Sequence, residues 1–193
     1  NLYDFKNLKK LGFEFVVFDK DNTLTPHNVD NINREDIAKA FIEAREIFSQ
    51  ENIAIFTNNS QKVERVTIFG EDSKIPIIES NYKKPFCIQD IQQHFANISR
   101  DKAHESNCRI NKKYVIVGDR LITDIGLANR MGALGIYVRP FDLEGETPSI
   151  TKARTFENFI WNIFFKKSTK DFYLDEDLQD KLRSCIVGLS RIG

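Results

Sequence analysis

The sequence has few of the residues that build metal cages or covalent cross-links. Its three cysteines, Cys87, Cys108 and Cys185, are scattered through 193 residues, and no two of them have C-x-x-C spacing. An odd number of widely separated cysteines indicates free thiols in a reducing compartment. The pattern therefore argues against a zinc site or a disulfide framework.

The chain also lacks an excess of charge of either sign. Lys and Arg total 28, Asp and Glu total 28, and the formal net charge is zero. A nucleic-acid partner would favour a basic excess, so none is expected. No apolar run reaches the roughly 18–20 residues that a membrane-spanning helix needs. Because the sequence begins at Asn1, a preceding targeting segment is left open.

Apolar runs and helical periodicities alternate along the first three quarters of the chain. Short apolar runs predict buried strands; they are 13–18, 53–57, 75–78, 114–118 and 134–138. Longer segments with helical spacing predict helices; they are 33–50, 61–69, 85–98 and 122–131, with a polar loop over 99–112.

This alternation predicts an α/β fold, with a parallel sheet of about five strands and helices on both faces. We assign residues 1–148 to this domain, since 193 residues suffice for one such core. The pattern changes after Pro148. We therefore treat 149–193 as a helical C-terminal extension that binds a membrane or a partner.

Acidic residues follow two of the predicted strands. FVVFDKDNTLT (15–25) carries Asp19 and Asp21, and VIVGDRLITDIG (115–126) carries Asp119 and Asp124. Ligands bind at the carboxyl ends of strands in open α/β sheets. A D-x-D pair alone could equally be a helix cap or turn. Carboxylates from two strand ends repel one another unless a proton or cation joins them, and an all-oxygen set favours Mg²⁺.

Two further strand ends carry polar residues. Thr57 and Asn58 follow the second strand, where a hydroxyl and free N–H groups could hold phosphate oxygens. Lys83 and Lys84 follow the third strand, and lysine neutralises phosphate charge. Taken singly, the first is an ordinary loop and the second a surface pair. His27, just after the first motif, is a candidate for the pocket mouth or a plain loop residue.

In combination, these four features resemble the haloacid dehalogenase (HAD) superfamily of phosphatases. The resemblance covers about residues 12–140 and implies a Rossmann-like fold. Its four motifs are D-x-D-x-T, a strand-end Thr or Ser, a Lys that commonly precedes Pro, and G-D-x-x-x-x-D. They are met in turn by Asp19-Lys20-Asp21-Asn22-Thr23, by Thr57, by Lys84, and by Gly118-Asp119 with Asp124.

The resemblance also implies a role for each matching residue. Asp19 is the nucleophile that forms an aspartyl-phosphate, and Asp21 is the general acid and base. Thr57 and Lys84 hold the transferring phosphoryl group. Mg²⁺ is held by the Asp19 carboxylate, the Asp21 carbonyl and Asp119, and Asp124 supports it. Asn58 is a further candidate for binding the phosphate.

Superfamily members often carry a cap domain between the first and second or the second and third motifs. Here the intervals from Asp21 to Thr57 and from Thr57 to Lys84 leave no room for one. A capless, open site suits a substrate that supplies its own wall. The phrases FDKDNT (18–23), GDRL (118–121) and KKP (83–85) resemble the phosphatidylglycerophosphate phosphatase branch, which includes mitochondrial enzymes of cardiolipin synthesis.

That branch implies a phospholipid substrate and a peripheral location on the matrix side of the mitochondrial inner membrane. Two alternatives stay open: a capless phosphatase acting on protein or nucleic-acid phosphates, and a HAD-fold subunit of a larger mitochondrial assembly. In the extension, a helix over 156–165 (FENFIWNIFF) would carry apolar side chains around about 240° of its circumference. It would lie on a membrane or against a protein partner.

Overall fold

The computed structural model describes residues 5–58, 65–72, 75–102, 113–140 and 148–160. Its described α-helices are α1 Phe5–Lys10, α2 Glu35–Phe48, α3 Ile88–Lys102, α4 Gly126–Met131 and α5 Pro148–Ile160. Its described strands are β1 Phe13–Phe18, β2 Asn31–Ile32, β3 Ile53–Ile55, β4 Thr67–Ile68, β5 Glu71–Asp72, β6 Lys113–Gly118 and β7 Leu134–Tyr137.

A four-stranded parallel sheet, in the order β3-β1-β6-β7, forms the centre of the larger unit, described residues 13–140. β1 and β6 are the two inner strands, and almost every residue in them is buried. Strands buried on both faces have continuous apolar sequences. The apolar runs therefore predicted these two strands almost to the residue.

Helices cover both faces of this sheet, as the sequence predicted. Successive strand residues point to opposite faces. Phe15 and Val17 pack in a core cluster with residues of α3 and α4, including Phe95 and Leu127. On the other face, the ring of Phe18 meets the ring of Phe41 from α2 edge to face, with centroids 5.2 Å apart.

The predicted third strand, 75–78, is reduced to a single parallel bridge between Ile77 and Ile55. Ile55 donates to the carbonyl of Pro76, and Ile78 donates to the carbonyl of Ile55. Proline has no N–H to continue a ladder. Among the residues that the structure describes, the regular sheet therefore has four strands rather than about five, with this segment lying along its β3 edge.

A second, three-stranded sheet in the order β2-β4-β5 was not predicted. It corrects the helix expected over 61–69, because Thr67–Ile68 is a strand; residues 61–64 lie outside the described part. Phe69 and Gly70 reverse the chain with φ values of 50° and 88°, which a helix does not allow. In the two intervals where a cap would be inserted, the described residues form this sheet, α2, a short 3₁₀ turn, β3 and the segment 75–78 that bridges to it.

The boundaries of two predicted helices also need correction. α3 begins at Ile88, three residues after Pro85, because residues 83–86 form a turn in which Phe86 donates to the carbonyl of Lys83. α3 then continues to Lys102, into the segment predicted as a loop; 103–112 lie outside the described residues. The helix predicted over 122–131 begins as a wider π turn, Leu121–Ile125, and continues as α4. Gly132 ends it with φ 64°.

The smaller unit contains described residues 5–12 and 148–160. Within α5, Glu157 is buried, whereas Phe156 and Phe159 are 56% and 60% exposed. The rest of the predicted amphipathic segment, 161–165, lies outside the described residues, and the 149–193 extension stays a prediction. None of the described helices has both the length and the hydrophobicity that a membrane span requires.

Candidate active site

The candidate site lies at the carboxyl edge of the parallel sheet. Asp19 directly follows β1 and Asp119 directly follows β6, the strand paired with β1. The backbone N–H of Asp19 donates to the carbonyl of Val117 at 2.8 Å, which extends the pairing of the two strands to the first residue of the site. Thr57 follows β3 on the other side of β1. Three neighbouring strand ends therefore converge here, where ligands bind in open α/β sheets.

Three buried carboxylates form the centre of the site. One ligand atom from each of Asp19, Asp119 and Asp124 lies within 4.8 Å of the other two. Asp124 reaches this position from the π turn, in which both Asp124 and Ile125 donate to the carbonyl of Arg120. The backbone N–H of Arg120 in turn donates to Asp124 Oδ2 at 3.0 Å. The irregular turn thus fixes the carboxylate in the site, as such turns often do.

Lys84 enters the same centre from the turn before α3. Its buried ammonium donates to Asp19 Oδ1, to Asp124 Oδ1 at 2.5 Å and to the carbonyl of Phe56 at 3.4 Å. Burial alone lowers the pKa of Lys84, but the charges of Asp124 and Asp19 outweigh it and raise that pKa above its usual value. Lys84 is therefore a permanent cation in the site.

Electrostatics in this centre favour a second cation. Burial raises the pKa of Asp19 well above its ordinary value; Lys84 opposes this effect, and Asp124 and Asp119 reinforce it. If all three carboxylates are ionised, Lys84 balances only one of the three negative charges. A divalent cation would balance the remainder and keep Asp19 ionised. The oxygen-only donor set fits Mg²⁺.

Gly118, the last residue of β6, makes room for the Asp124 carboxylate. A Cβ atom at this position would lie 2.3 Å from Asp124 Cγ and 2.5 Å from Asp124 Oδ2. Such distances are far inside van der Waals contact, so any other residue would displace Asp124. The glycine of the G-D-x-x-x-x-D motif is thus required by the close approach of a side chain to the strand.

Asp21 lies at the side of this centre and is 19% exposed in its side chain. Its Oδ2 accepts a hydrogen bond from Thr57 Oγ1 at 3.2 Å, and its Oδ1 accepts one from the backbone N–H of Asn28 at 3.0 Å. His27 Nδ1 is 3.8 Å from the same Oδ1. His27 therefore lies near the Asp21 carboxylate, and its place at the pocket mouth stays a prediction. The Asp21 carboxylate does not belong to the cluster of three. The contact predicted between Mg²⁺ and the backbone carbonyl of Asp21 stays a prediction.

Asn58 contacts the lysine loop. Its Oδ1 accepts a hydrogen bond from the backbone N–H of Lys84 at 2.8 Å. This contact joins the loop after β3 to the turn that carries Lys84 and helps to aim the ammonium at the carboxylates. The predicted binding of phosphate by Asn58 stays a prediction.

The burial of one residue in this region was not predicted from the sequence, where Lys20 entered only as part of the FDKDNT phrase. Lys20, between the two aspartates of the first motif, is only 1% exposed. Its Nζ contacts Asp21 Oδ1 at 3.0 Å and Asp30 Oδ1 at 2.8 Å. Lysine is rarely buried unless it is paired. In the sequence, the signal that could have indicated this burial was a lysine flanked by two aspartates directly after a buried strand.

Fold and site together define an α/β protein with a buried carboxylate and lysine centre at the end of a parallel sheet. Comparison with known proteins gives the family. The sequence model of the family described as "Mitochondrial PGP phosphatase" matches residues 3–140. The chain belongs to this family.

Individual relatives agree with this assignment. The chain is 31% identical over 153 residues to "Phosphatidylglycerophosphatase GEP4, mitochondrial" of Saccharomyces cerevisiae, covering 76% of each chain. It is 30% identical over 129 residues to "Probable phosphatidylglycerophosphatase, mitochondrial" of Schizosaccharomyces pombe, covering 64% of this chain and 58% of that one. It is 30% identical over 166 residues to "Phosphatidylglycerophosphate phosphatase 1, chloroplastic" of Chlamydomonas reinhardtii, covering 81% of this chain and 55% of that one.

The chain therefore spans little more than half the length of two of these relatives. No solved structure matches it.

Proposed function

We propose that the chain is a Mg²⁺-dependent phosphomonoester hydrolase of the haloacid dehalogenase superfamily, and that its substrate is phosphatidylglycerophosphate. The observation that carries the proposal is the convergence of Asp19, Lys84, Asp119 and Asp124 in one buried centre at the carboxyl edge of the sheet. The names of the relatives supply the substrate.

In the proposed reaction, Asp19 attacks the phosphorus atom of the substrate. The bond between phosphorus and the glycerol oxygen breaks, and an aspartyl-phosphate forms. Asp21 gives a proton to the departing oxygen and then takes one from the water that hydrolyses the intermediate. Lys84, already fixed against Asp19, stabilises negative charge on the transferring group. Thr57 holds Asp21 and contributes its own hydroxyl at the edge of the pocket.

Asp19, Asp119 and Asp124 would hold the Mg²⁺ ion, with the Asp21 carbonyl as a further ligand. The bound ion would shield the nucleophile from an anionic phosphate and neutralise charge on its oxygens. Both the raised pKa of Asp19 and the excess of carboxylate charge support this role.

The proposed location is the matrix side of the mitochondrial inner membrane, with peripheral attachment. The family description and two of the relatives carry the word mitochondrial. A lipid substrate requires the site to meet a bilayer surface, and a capless entrance would allow this. We assign contact with the membrane, or with a protein partner, to 149–193.

The decisive experiment compares phosphate release from phosphatidylglycerophosphate in vesicles with release from phosphopeptides at equal phosphate concentration. The lipid should be hydrolysed and the phosphopeptides should not. Asp19→Asn should lower turnover by more than about 10³-fold, because it removes the nucleophile. Asp36→Asn, an exposed aspartate of α2, is the matched control and should behave like the wild type. Preference for phosphopeptides would refute the substrate, and near-normal turnover by Asp19→Asn would refute the mechanism.

A further inference from the structure

Lys20 has two sets of interactions that together organise residues 19–30. Its ammonium donates to the carbonyl of Val29 at 2.9 Å and to Asp30 Oδ1 at 2.8 Å, and it lies 3.0 Å from Asp21 Oδ1. Its own carbonyl accepts the backbone N–H groups of Leu24 and Thr25 at 2.9 and 3.0 Å. Lys20 therefore closes the turn after Asp21 through its carbonyl. Through its ammonium it joins the returning segment, residues 26–30, to the Asp21 carboxylate.

The returning segment is joined in turn to the small sheet. The carbonyl of Asp30 accepts hydrogen bonds from the backbone N–H and the hydroxyl of Thr67, the first residue of β4. Asn31 Oδ1 accepts from Thr67 Oγ1 and from the backbone N–H of Gly70, both at 3.0 Å. Lys20 is therefore the link between Asp21 and the sheet β2-β4-β5.

Burying an ammonium group costs desolvation free energy that an apolar side chain of similar volume would not. Replacing a buried ion pair with apolar residues of similar volume is often neutral or stabilising. Lys20 lies between Asp19 and Asp21 in the sequence but contacts Asp21, while Lys84 is the cation against Asp19. The two lysines thus serve two different aspartates.

We propose that Lys20 is a positioning residue for the general acid and base Asp21. Lys20 and the N–H of Asn28 hold Oδ1, which leaves Oδ2, the oxygen that accepts from Thr57, as the one presented to the leaving group. Without Lys20, the Asp21 carboxylate can rotate, and the segment 26–30 loses its bonds to the ammonium at Val29 and Asp30. Proton delivery to the departing oxygen then fails, while attack by Asp19 is affected less. This inference rests on the proposed phosphoryl-transfer function.

Dependence on the leaving group tests this role. An alkyl phosphate such as glycerol phosphate needs a proton on its departing oxygen, whereas p-nitrophenyl phosphate releases a stable anion. The measurement is the rate of leaving-group release in the first turnover, with enzyme in excess and Mg²⁺ present. Lys20→Met should lower the alkyl rate relative to the aryl rate by about tenfold or more, part of the ~10²–10⁴-fold that acid–base catalysis supplies.

The ratio of the two rates does not depend on the fraction of molecules that fold, because both rates scale with the folded concentration. If Lys20→Met yields no folded protein, Lys20→Gln removes the charge but keeps a donor, and the same fall in the ratio is expected. Lys39→Met is the matched control, since Lys39 is an exposed lysine that pairs with Glu35 on α2. It should leave the ratio unchanged.

A double-substitution cycle identifies the residue through which Lys20 acts. In an Asp21→Asn background, Lys20→Met should cause little further loss, because the two changes remove one shared function. An unchanged alkyl-to-aryl ratio in Lys20→Met, or full additivity with Asp21→Asn, would overturn the inference. The proposed function is tested separately by Asp19→Asn: near-normal activity of that variant would refute the function, whatever Lys20→Met does.

Discussion

The Asp124 carboxylate occupies the space that a Cβ atom on Gly118 would fill, so Gly118→Ala is the most direct test of the geometry. The new Cβ would lie 2.3 Å from Asp124 Cγ, whereas ordinary contact begins at 3.4 Å. Asp124 must therefore retreat by about 1 Å, which is enough to cost roughly 10²-fold in rate when it misplaces a catalytic group. The retreat would break the 2.5 Å contact with Lys84 and the 3.0 Å bond from Arg120.

Gly118→Ala should lower kcat/KM by about 10²-fold on a soluble phosphate ester and raise the Mg²⁺ concentration needed for half-maximal activity. Overpacking should cost about 1–3 kcal/mol of stability, so the domain should remain folded at 25 °C. Steady-state kinetics over a magnesium titration, together with thermal unfolding, measures both effects.

The control is Gly126→Ala, two residues from Asp124 in the chain. There the new Cβ would meet its nearest atoms at 3.7 and 3.8 Å, which is ordinary contact. Gly126 opens α4, so alanine should preserve activity and stabilise the helix by about 0.5–1 kcal/mol. Wild-type activity and magnesium dependence in Gly118→Ala would refute the packing of Asp124 against β6.

Three other predictions concern the metal, the buried thiol and the C-terminal unit. Activity should require Mg²⁺ and disappear in chelator, and Zn²⁺ should not substitute. Asp119→Ala should sharply raise the Mg²⁺ concentration that activity requires. Full activity in chelator would contradict the prediction. Burial raises the pKa of the Cys87 thiol to about 11. At pH 8, Cys87 should therefore resist iodoacetamide in the native protein and react only after unfolding. Peptide mass spectrometry measures the modification. Replacing Phe159, Trp161 and Phe164 with Ser should weaken co-sedimentation with phosphatidylglycerol-rich vesicles without changing turnover of a soluble ester; undiminished sedimentation would point to a protein partner instead.

The parts of the fold that sequence predicted well are those in which one physical effect dominates. β1 and β6 are buried on both faces, so their composition alone defines them. The C-terminal end of α4 was predicted because Gly132 takes the left-handed conformation that ends helices. The small sheet was missed because β2, β4 and β5 have two residues each, too few to show a period.

The meeting of carboxylates from different strand ends was easier to predict than the loops around them. Parallel strands bring their carboxyl ends together, so Asp19 and Asp119 could be expected to meet once β1 and β6 were recognised. The π turn that delivers Asp124 could not be predicted, because its pattern of apolar residues is that of an ordinary helix start. The burial of Lys20 was not predicted, because hydropathy indicates that a lysine is exposed; its ion pairs with Asp21 and Asp30 make the burial possible.

The order in which the site residues occur in the chain has a consequence for biogenesis. Lys84 is 65 residues from Asp19 and 40 from Asp124 in sequence, yet it contacts both. Contacts of such long sequence separation form late, because loop closure must precede them. A chain still being synthesised therefore has no working centre until the π turn has emerged and β6 has paired with β1. Catalytic activity would thus report that β1 and β6 have paired and that the π turn has formed, and fragments ending before Asp124 should be inert even where they fold locally.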